Sequence, residues 1–427
     1  MLHHAARVLP PVRRRLLTRR LLLNLAARCC VECGPKMESS KPSLHVNLSV
    51  GDPAPWFHQR SSSKANFVFS SVAGRYIVLC FFGSAAEPRS RAALQSVLAH
   101  RHHFDDISCS FFGVSNDPED ERQKRVASSL PGIRFFWDSD GKISRLYGAI
   151  ARDATPGKGE TQVHRFWAVL DPTLRVLFIT PFVPDGSDAD ALFGYLEKLP
   201  PPDRFAGIEV QAPILFLPNV FEQDLCRDLI RIYEEHGGKE SGVMRDVEGR
   251  TAYIEDHSFK KRRDYTIVQP ELLEQTRARV ARRIYPEILK IYSFKATRME
   301  RYLVSCYSAD DGAHFRPHRD NTTRGTAHRR FAVSINLNSE FEGGEICFPE
   351  YGRKSFKPPP GGAVIFPCAL LHAVTKVTSG SRYAFLPFLY DEEAAKIREA
   401  NAKFLGGARD AVPEDEDSAA PAAPHQE

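Results

Sequence analysis

Residues 76–82 read "YIVLCFF", an unbroken apolar run of strand length, as expected where both faces of a strand are covered. In "SRAALQSVLAH" (90–100) the period changes, with Leu94, Val97 and Leu98 recurring at the spacing of one helix face. "SCSFFGVS" (108–115) predicts a second strand, and "FWAVLDPTLRVLFI" (166–179) a hairpin turning at Asp171-Pro172. Strands alternating with helices in this way predict a three-layer α/β block over residues 45–200. The block ends in "LEKLPPPDRFAG" (196–207), whose consecutive prolines lack backbone donors. They exclude a continuous helix or inner strand, so residues 201–211 read as a linker.

From residue 212 the pattern differs. In "APILFLPNVFEQDLCRDLIRIYEEHGG" Asn219 is placed to cap a helix with an apolar face of Leu225, Leu229, Ile230 and Tyr233, ended by Gly237-Gly238. "PELLEQTRARVARRIYPEILKIY" (270–292) predicts a second helix with proline in its first turn. The remainder is β in character: "RMERYLVSCY", "HFRPHRD", "RRFAVSINLN", "GEICFPE", "GGAVIFPCALLHAVT" and "SRYAFLPFLY". Phe331, Val333, Ile335 and Leu337 alternate onto one face. Helices followed by many short strands with Gly/Pro turns predict a double-stranded β-helix, a form of jelly roll with flanking helices, over residues 212–404.

Charge changes the picture mainly at the ends. The formal net charge of the 427 residues is +5, but residues 1–36 carry +7 and residues 405–427 carry −5. The difference leaves +3 on the body between them, which is no electrostatic footprint for nucleic acid. Residues 1–44 form a basic leader, read as an upstream extension or as a targeting peptide. Its apolar run, "LLLNLAA" between Arg20 and Arg28, is well short of the ~18 apolar residues a membrane span needs. The tail 405–427 is acidic and Pro/Ala-rich and is expected to stay disordered. The nine cysteines are scattered, and the single Cys-x-x-Cys (Cys30, Cys33) has no second pair to complete a zinc site. Reduced thiols and a cytoplasmic location are the expectation.

The chemistry concentrates in "HFRPHRDN" (314–321). In an extended segment residues i and i+2 point the same way, so His318 and Asp320 can converge on one ion. The same spacing at His103 and Asp105 lies between a helix and a strand start, without a later partner in its block. A facial triad needs two imidazoles and one carboxylate. His372, on a strand that would close the barrel, supplies the second imidazole, and Arg382 ten residues later can pair with a carboxylate. His314 and Arg316 share the face of His318 by alternation and are rim candidates. Arg316, Arg319, Arg324, Arg329 and Arg330 are candidates for a lid that recognises an acidic substrate.

These motifs, together with "PILFLPNVFEQDLCRDLI", "EGGEICFPEYG" (342–352) and "PPPGGAVIFP" (358–367), resemble the iron(II)/2-oxoglutarate dioxygenases, in particular the prolyl 4-hydroxylase branch. The resemblance implies that His318, Asp320 and His372 ligate Fe(II) and that Arg382 binds the distal carboxylate of 2-oxoglutarate. It gives Tyr307 a phenol contact to that carboxylate; "SADDG" inserts two extra residues after Tyr307, so Tyr302 competes for the role. It further implies O2 as co-substrate, ascorbate as reductant, and hydroxylation of a protein side chain such as proline or of a small molecule.

The first block resembles the peroxiredoxin branch of the thioredoxin-like proteins through "VGDPAPWF" (50–57), "GVSNDPEDE" (113–121) and "FFWDSDGKISRLYGA" (135–149). That family's peroxidatic cysteine belongs at the helix start after the first core strand, where its pKa is lowered. The segment here, "GSAAEPRSRAAL" (83–94), has no cysteine, and Cys80 and Cys109 read as inert core thiols. The expectation is a degenerate peroxiredoxin-like domain serving as a docking, dimerisation or structural module. Two rival readings are a thiol peroxidase with an accessory β-domain, opposed by the missing cysteine, and a non-catalytic metal-binding jelly roll, opposed by the triad with Arg382. DNA-alkylation-repair dioxygenases require a second arginine where Phe388 stands. Cys306, Cys347 and Cys368 alternate with apolar residues and read as core.

Overall fold

The apolar run at 76–82 becomes β1 (Tyr76–Gly83), buried along its whole length. β2 (Cys109–Ser115) and β3 (Ile133–Trp137) extend the sheet in parallel on one side. The hairpin of β4 (Phe166–Leu170) and β5 (Val176–Pro181) extends it antiparallel on the other, giving the order β3-β2-β1-β4-β5. Alternation along β1 divides its side chains between two cores. Val78 and Cys80 pack against α1 (Pro88–Ala99) and α2 (Ser187–Leu196) through Ala93, Leu94, Leu192 and Phe193. Ile77, Leu79 and Phe81 pack beneath Phe57, Phe69, Phe136 and Tyr147. Leu98, assigned to the apolar face by spacing, is exposed instead. This computed structural model describes residues 47–154, 162–247 and 249–405; the expected leader, the acidic tail and the Cys30/Cys33 pair lie outside them.

The second block begins with β6 (Leu215–Leu217) and α3 (Gln223–His236), which buries Leu225, Leu229 and Tyr233. Asn219 does not cap α3. It adopts a left-handed turn (φ 57°) three residues before the cap position, Glu222, whose side chain makes no capping bond. The segment 270–292 is two helices, α4 (Pro270–Arg283) and α5 (Tyr285–Tyr292). Pro286 accounts for the break, since it lacks an N–H and its ring crowds the preceding turn.

Two sheets follow. The larger contains β10 (Arg263–Thr266), β11 (Arg298–Glu300), β12 (Leu303–Ser308), β14 (Phe331–Asn336), β17 (Ala363–Pro367), β19 (Ser379–Phe385) and β20 (Phe388–Tyr390). Its order is β11-β20-β14-β19-β12-β10, with β17 joining β14 to β6. "RMERYLVSCY" is thus two strands, interrupted at Arg301 (φ 68°). The smaller sheet is β9-β13-β18-β15-β16: Lys260–Lys261, His314–His318, His372–Val374, Ile346–Cys347 and Ser355–Phe356. A hairpin of β7 (Val243–Val247) and β8 (Arg250–Ile254) precedes β9.

Alternation on β14 works as expected. Phe331, Val333 and Ile335 meet α3, α4 and α5 in one core, while Ala332 joins Ile346, Val364 and Phe366 between the sheets. Two facing sheets with helices against the larger one make a jelly roll of the double-stranded β-helix kind. Among the described residues, no helix is long and apolar enough to cross a membrane.

Candidate active site

β13 and β18 pair antiparallel, with His318 directly opposite His372. Directly opposed residues project to the same face, and the two ring centroids lie 4.2 Å apart. Asp320 follows β13, its backbone N–H bonded to the Cys368 carbonyl at 2.9 Å. Its carboxylate oxygens stand 3.5 Å from His318 Nε2 and 3.3 Å from His372 Nε2. One ligand atom from each residue lies within 4.8 Å of the other two, as a shared ion requires.

The tautomers fit the same purpose. His318 Nδ1 lies 2.7 Å from the Arg316 carbonyl and His372 Nδ1 3.0 Å from the Leu370 carbonyl. A carbonyl only accepts, so each Nδ1 carries a proton and each Nε2 is the ring atom aimed at Asp320 and at any ion between them. Burial first, and the neighbouring His372 second, lower the His318 pKa to about 4, leaving the ring neutral near pH 7. Burial opposes ionisation of Asp320, but His372 and His318 outweigh it and hold its carboxyl well below the ordinary range. Two neutral imidazoles and one carboxylate on the same face suit a divalent cation of the Fe(II) type.

A second group lies on the larger sheet. Arg382 on β19 stands opposite Tyr307 on β12. Its guanidinium donates from Nε to Asn336 Oδ1 at 3.0 Å and from Nη2 to Ser334 Oγ at 2.7 Å. It is 2% exposed, and both partners are neutral. Burial lowers its pKa to about 10, and no carboxylate faces it among the described residues. The Tyr307 hydroxyl accepts from Arg262 Nη1 at 2.9 Å, so its own proton is available to a further acceptor.

The surroundings add more positive charge. Arg262 and Arg301 pair with Asp264, at 2.9 and 3.3 Å. Lys260 is buried with its ammonium on Ser241 Oγ (2.7 Å) and the Gly242 carbonyl (2.6 Å), and burial, then Arg262, push its pKa well down. Around Tyr307 the guanidinium groups of Arg262, Arg301 and Arg382 outnumber the single carboxylate of Asp264, and an anionic ligand would restore the balance.

Tyr302 packs against the core on the helix side, whereas Tyr307 is in the cluster with Ala313 and Val374 beside β18. The structure thus brings Tyr307, not Tyr302, to Arg382. His314 is tied to its own surroundings, with Nδ1 3.0 Å from the Gly312 carbonyl and Nε2 3.4 Å from that of Ser258. A register shift between Phe315 and His318 breaks the alternation that had put His314 on the ligand face. Phe315 instead stacks on His318, centroids 3.4 Å apart. Arg316 is exposed. Arg319 and Arg329 are no lid: they form buried pairs with Glu350 (2.8 Å) and Glu300 (2.6 Å). At the other His-x-Asp, Asp105 Oδ1 accepts the N–H groups of Ile107, Ser108 and Cys109, and no ligand cluster forms there among the described residues.

Ser334 and Asn336 had escaped the sequence reading. They are the polar half of the β14 alternation, and two polar side chains facing into a barrel interior were the available signal. Lys260, Arg262 and Asp264 carry no comparable pattern.

The 2OG-Fe(II) oxygenase superfamily model matches residues 302–390, which include Tyr307, all three candidate ligands and Arg382. The chain carries a 2OG-Fe(II) oxygenase domain. Ahead of this oxygenase domain, residues 50–178 match the AhpC/TSA family, in keeping with the thioredoxin-like first block. A PKHD-type hydroxylase of Gluconobacter oxydans is 34% identical over 84 residues, which are 18% of this chain and 37% of that protein. The chain thus spans well under half the length of this curated relative. Among solved structures, a prolyl hydroxylase from Trichoplax adhaerens, in complex with a hypoxia inducible factor peptide fragment, is similar at 16% identity and TM-score 0.36, covering 48% of this chain and 96% of that one. Peroxidoxin BcpB from Mycobacterium tuberculosis is similar at 18% identity and TM-score 0.30, covering 36% and 99%.

Proposed function

We propose that this protein is a 2-oxoglutarate- and Fe(II)-dependent hydroxylase. The carrying observation is the buried Arg382, which has only neutral partners and stands beside Tyr307 in the same domain as the three-residue ligand cluster. His318, Asp320 and His372 would hold Fe(II), and Arg382 with Tyr307 would hold the distal carboxylate of 2-oxoglutarate. With O2, the bound iron and cosubstrate would supply oxidative decarboxylation of 2-oxoglutarate to succinate and CO2, coupled to insertion of one oxygen atom into a substrate C–H bond.

The chain's own residues hold the geometry. The Arg316 and Leu370 carbonyls fix both imidazole tautomers, and the Cys368 carbonyl anchors the Asp320 backbone. Ser334 and Asn336 aim the guanidinium, and Arg262 takes one lone pair of the Tyr307 oxygen so that its proton points elsewhere. Phe315 and Phe366 flank the histidines and keep water from that side.

The substrate we infer is a protein side chain such as proline, with ascorbate maintaining reduced iron. Arg316 lies two residues before His318, and its backbone bonds to Phe259, whose ring faces His318. Arg245 covers that ring at 5.3 Å. Arg245 is paired with Asp256 at 2.7 Å, so the exposed Arg316 supplies the positive charge of this rim, which favours a segment with acidic residues near the oxidised position. The test is a mass gain of one oxygen in extract proteins or peptides after incubation with Fe(II), 2-oxoglutarate and O2. Absence of any oxygen gain, despite succinate release, would overturn the protein-substrate reading.

A further inference from the structure

Arg319 stands between two candidate ligands, immediately after β13, and its buried side chain bonds to groups other than His318 and Asp320. It leads toward the first block. There its guanidinium pairs with Glu350 at 2.8 and 3.2 Å, donates to the Ser70 carbonyl at 3.3 Å and to the Ala369 carbonyl, and lies 4.3 Å over the Trp56 ring. Ser70 and Trp56 belong to the thioredoxin-like block. Glu350 in turn accepts the Leu371 backbone N–H at 3.0 Å.

Leu371 immediately precedes His372. Its fully buried side chain is a member of the first block's core, with Phe57, Phe69, Val72 and Leu170. Pro349 closes against Gly74 so tightly that a Cβ there would meet it at 2.7 Å. Each candidate ligand is therefore one residue from a group anchored in this seam: Arg319 flanks His318 and Asp320, and Leu371 flanks His372.

We propose that the first block is the back wall of the metal centre: through the Arg319–Glu350 pair and Leu371 it fixes the spacing of the three ligands. This rests on the ligand assignment above. The block's structural role would explain why a peroxiredoxin-type fold persists here without a cysteine in the segment where the peroxidatic one is expected. Arg319 and Glu350 are positioning residues, since neither reaches the ligand cluster. Outer partners of metal ligands commonly govern affinity by about 10- to 100-fold.

The test uses the full chain and Mn(II) alone, a redox-quiet stand-in for Fe(II). All three tryptophans, Trp56, Trp137 and Trp167, lie in the first block, so their fluorescence reports that block's unfolding. Mn(II) in large excess over its dissociation constant should raise the tryptophan-monitored midpoint by several degrees, and His318→Ala should abolish both binding and shift. Glu350→Gln, which keeps the side-chain shape, should weaken Mn(II) binding by about tenfold or more. Calorimetric binding that leaves the tryptophan midpoint unmoved would overturn the seam's role, as would wild-type affinity in Glu350→Gln. If wild type does not bind Mn(II) at all, the ligand assignment falls and the proposal with it.

Discussion

Arg382 offers a perturbation whose two consequences should diverge. Its pKa is lowered from the ordinary arginine range to about 10 by burial, so keeping the charge inside the fold costs about 3 kcal/mol. Its bonds to Ser334 and Asn336 return a comparable amount, about 1.5–3 kcal/mol each for a charged donor. Arg382→Met removes both the cost and the gain and keeps an unbranched stem of similar reach. The unliganded protein should then lose no more than about 3 kcal/mol of stability, the difference between the two bonds and the burial cost. Cosubstrate binding should respond quite differently. A carboxylate buried without its cation loses about 3–5 kcal/mol, a fall in 2-oxoglutarate affinity of roughly a hundred- to a few-thousand-fold. Calorimetric titration of 2-oxoglutarate into the Mn(II)-loaded protein measures the second quantity, and urea unfolding of the metal-free protein measures the first. An affinity change under tenfold, or a loss of more than about 4 kcal/mol in the unliganded protein, would mean that Arg382 is a structural cation.

Acidification should reveal His318 separately. Its folded pKa is about 4 against an ordinary 6.5, so the unfolded chain binds more protons between these values. Stability of the metal-free protein should fall as pH drops from 6.5 to 4, by up to about 3 kcal/mol from this group, and His318→Gln should remove that component of the slope; an unchanged slope would show the ring is not held neutral. Reversing the rim charge with Arg316→Glu should raise KM for an acidic peptide substrate several-fold, and less so at high salt, while the Mn(II) dissociation constant stays put. Equal effects on acidic and neutral peptides would remove the rim from substrate recognition. Hydrogen peroxide offered with a thiol donor should give no steady turnover, because burial raises the Cys80 and Cys109 thiol pKa values and both side chains are enclosed; sustained turnover would restore the peroxidase reading.

Much of this site was legible because strands have a strict period. His318 ends β13 with Asp320 two residues on, His372 begins β18 and Arg382 lies inside the next strand, β19, so the spacing of all four survives folding. Alternation failed where the backbone departs from the pleat. The irregularity between Phe315 and His318 moved His314 off the ligand face, and the left-handed residue at Asn219 displaced a helix cap. Loop arginines were misread for another reason. In sequence Arg319 and Arg329 look like a solvated basic stretch, but their partners Glu350 and Glu300 lie about thirty residues away, and nothing in a local pattern announces such pairs. Cross-block packing is equally silent: Leu371 reads as an ordinary barrel residue, yet it completes the core of the other block.

The central claim is that His318, Asp320, His372 and Arg382 form one functional site. Its most direct test is O2-dependent release of succinate from 2-oxoglutarate by the Fe(II)-loaded full chain, compared with His318→Ala and Arg382→Met. Wild type should release succinate, with or without added substrate extract, and both variants should release it only near background. Succinate formation at the wild-type rate by either variant would contradict it.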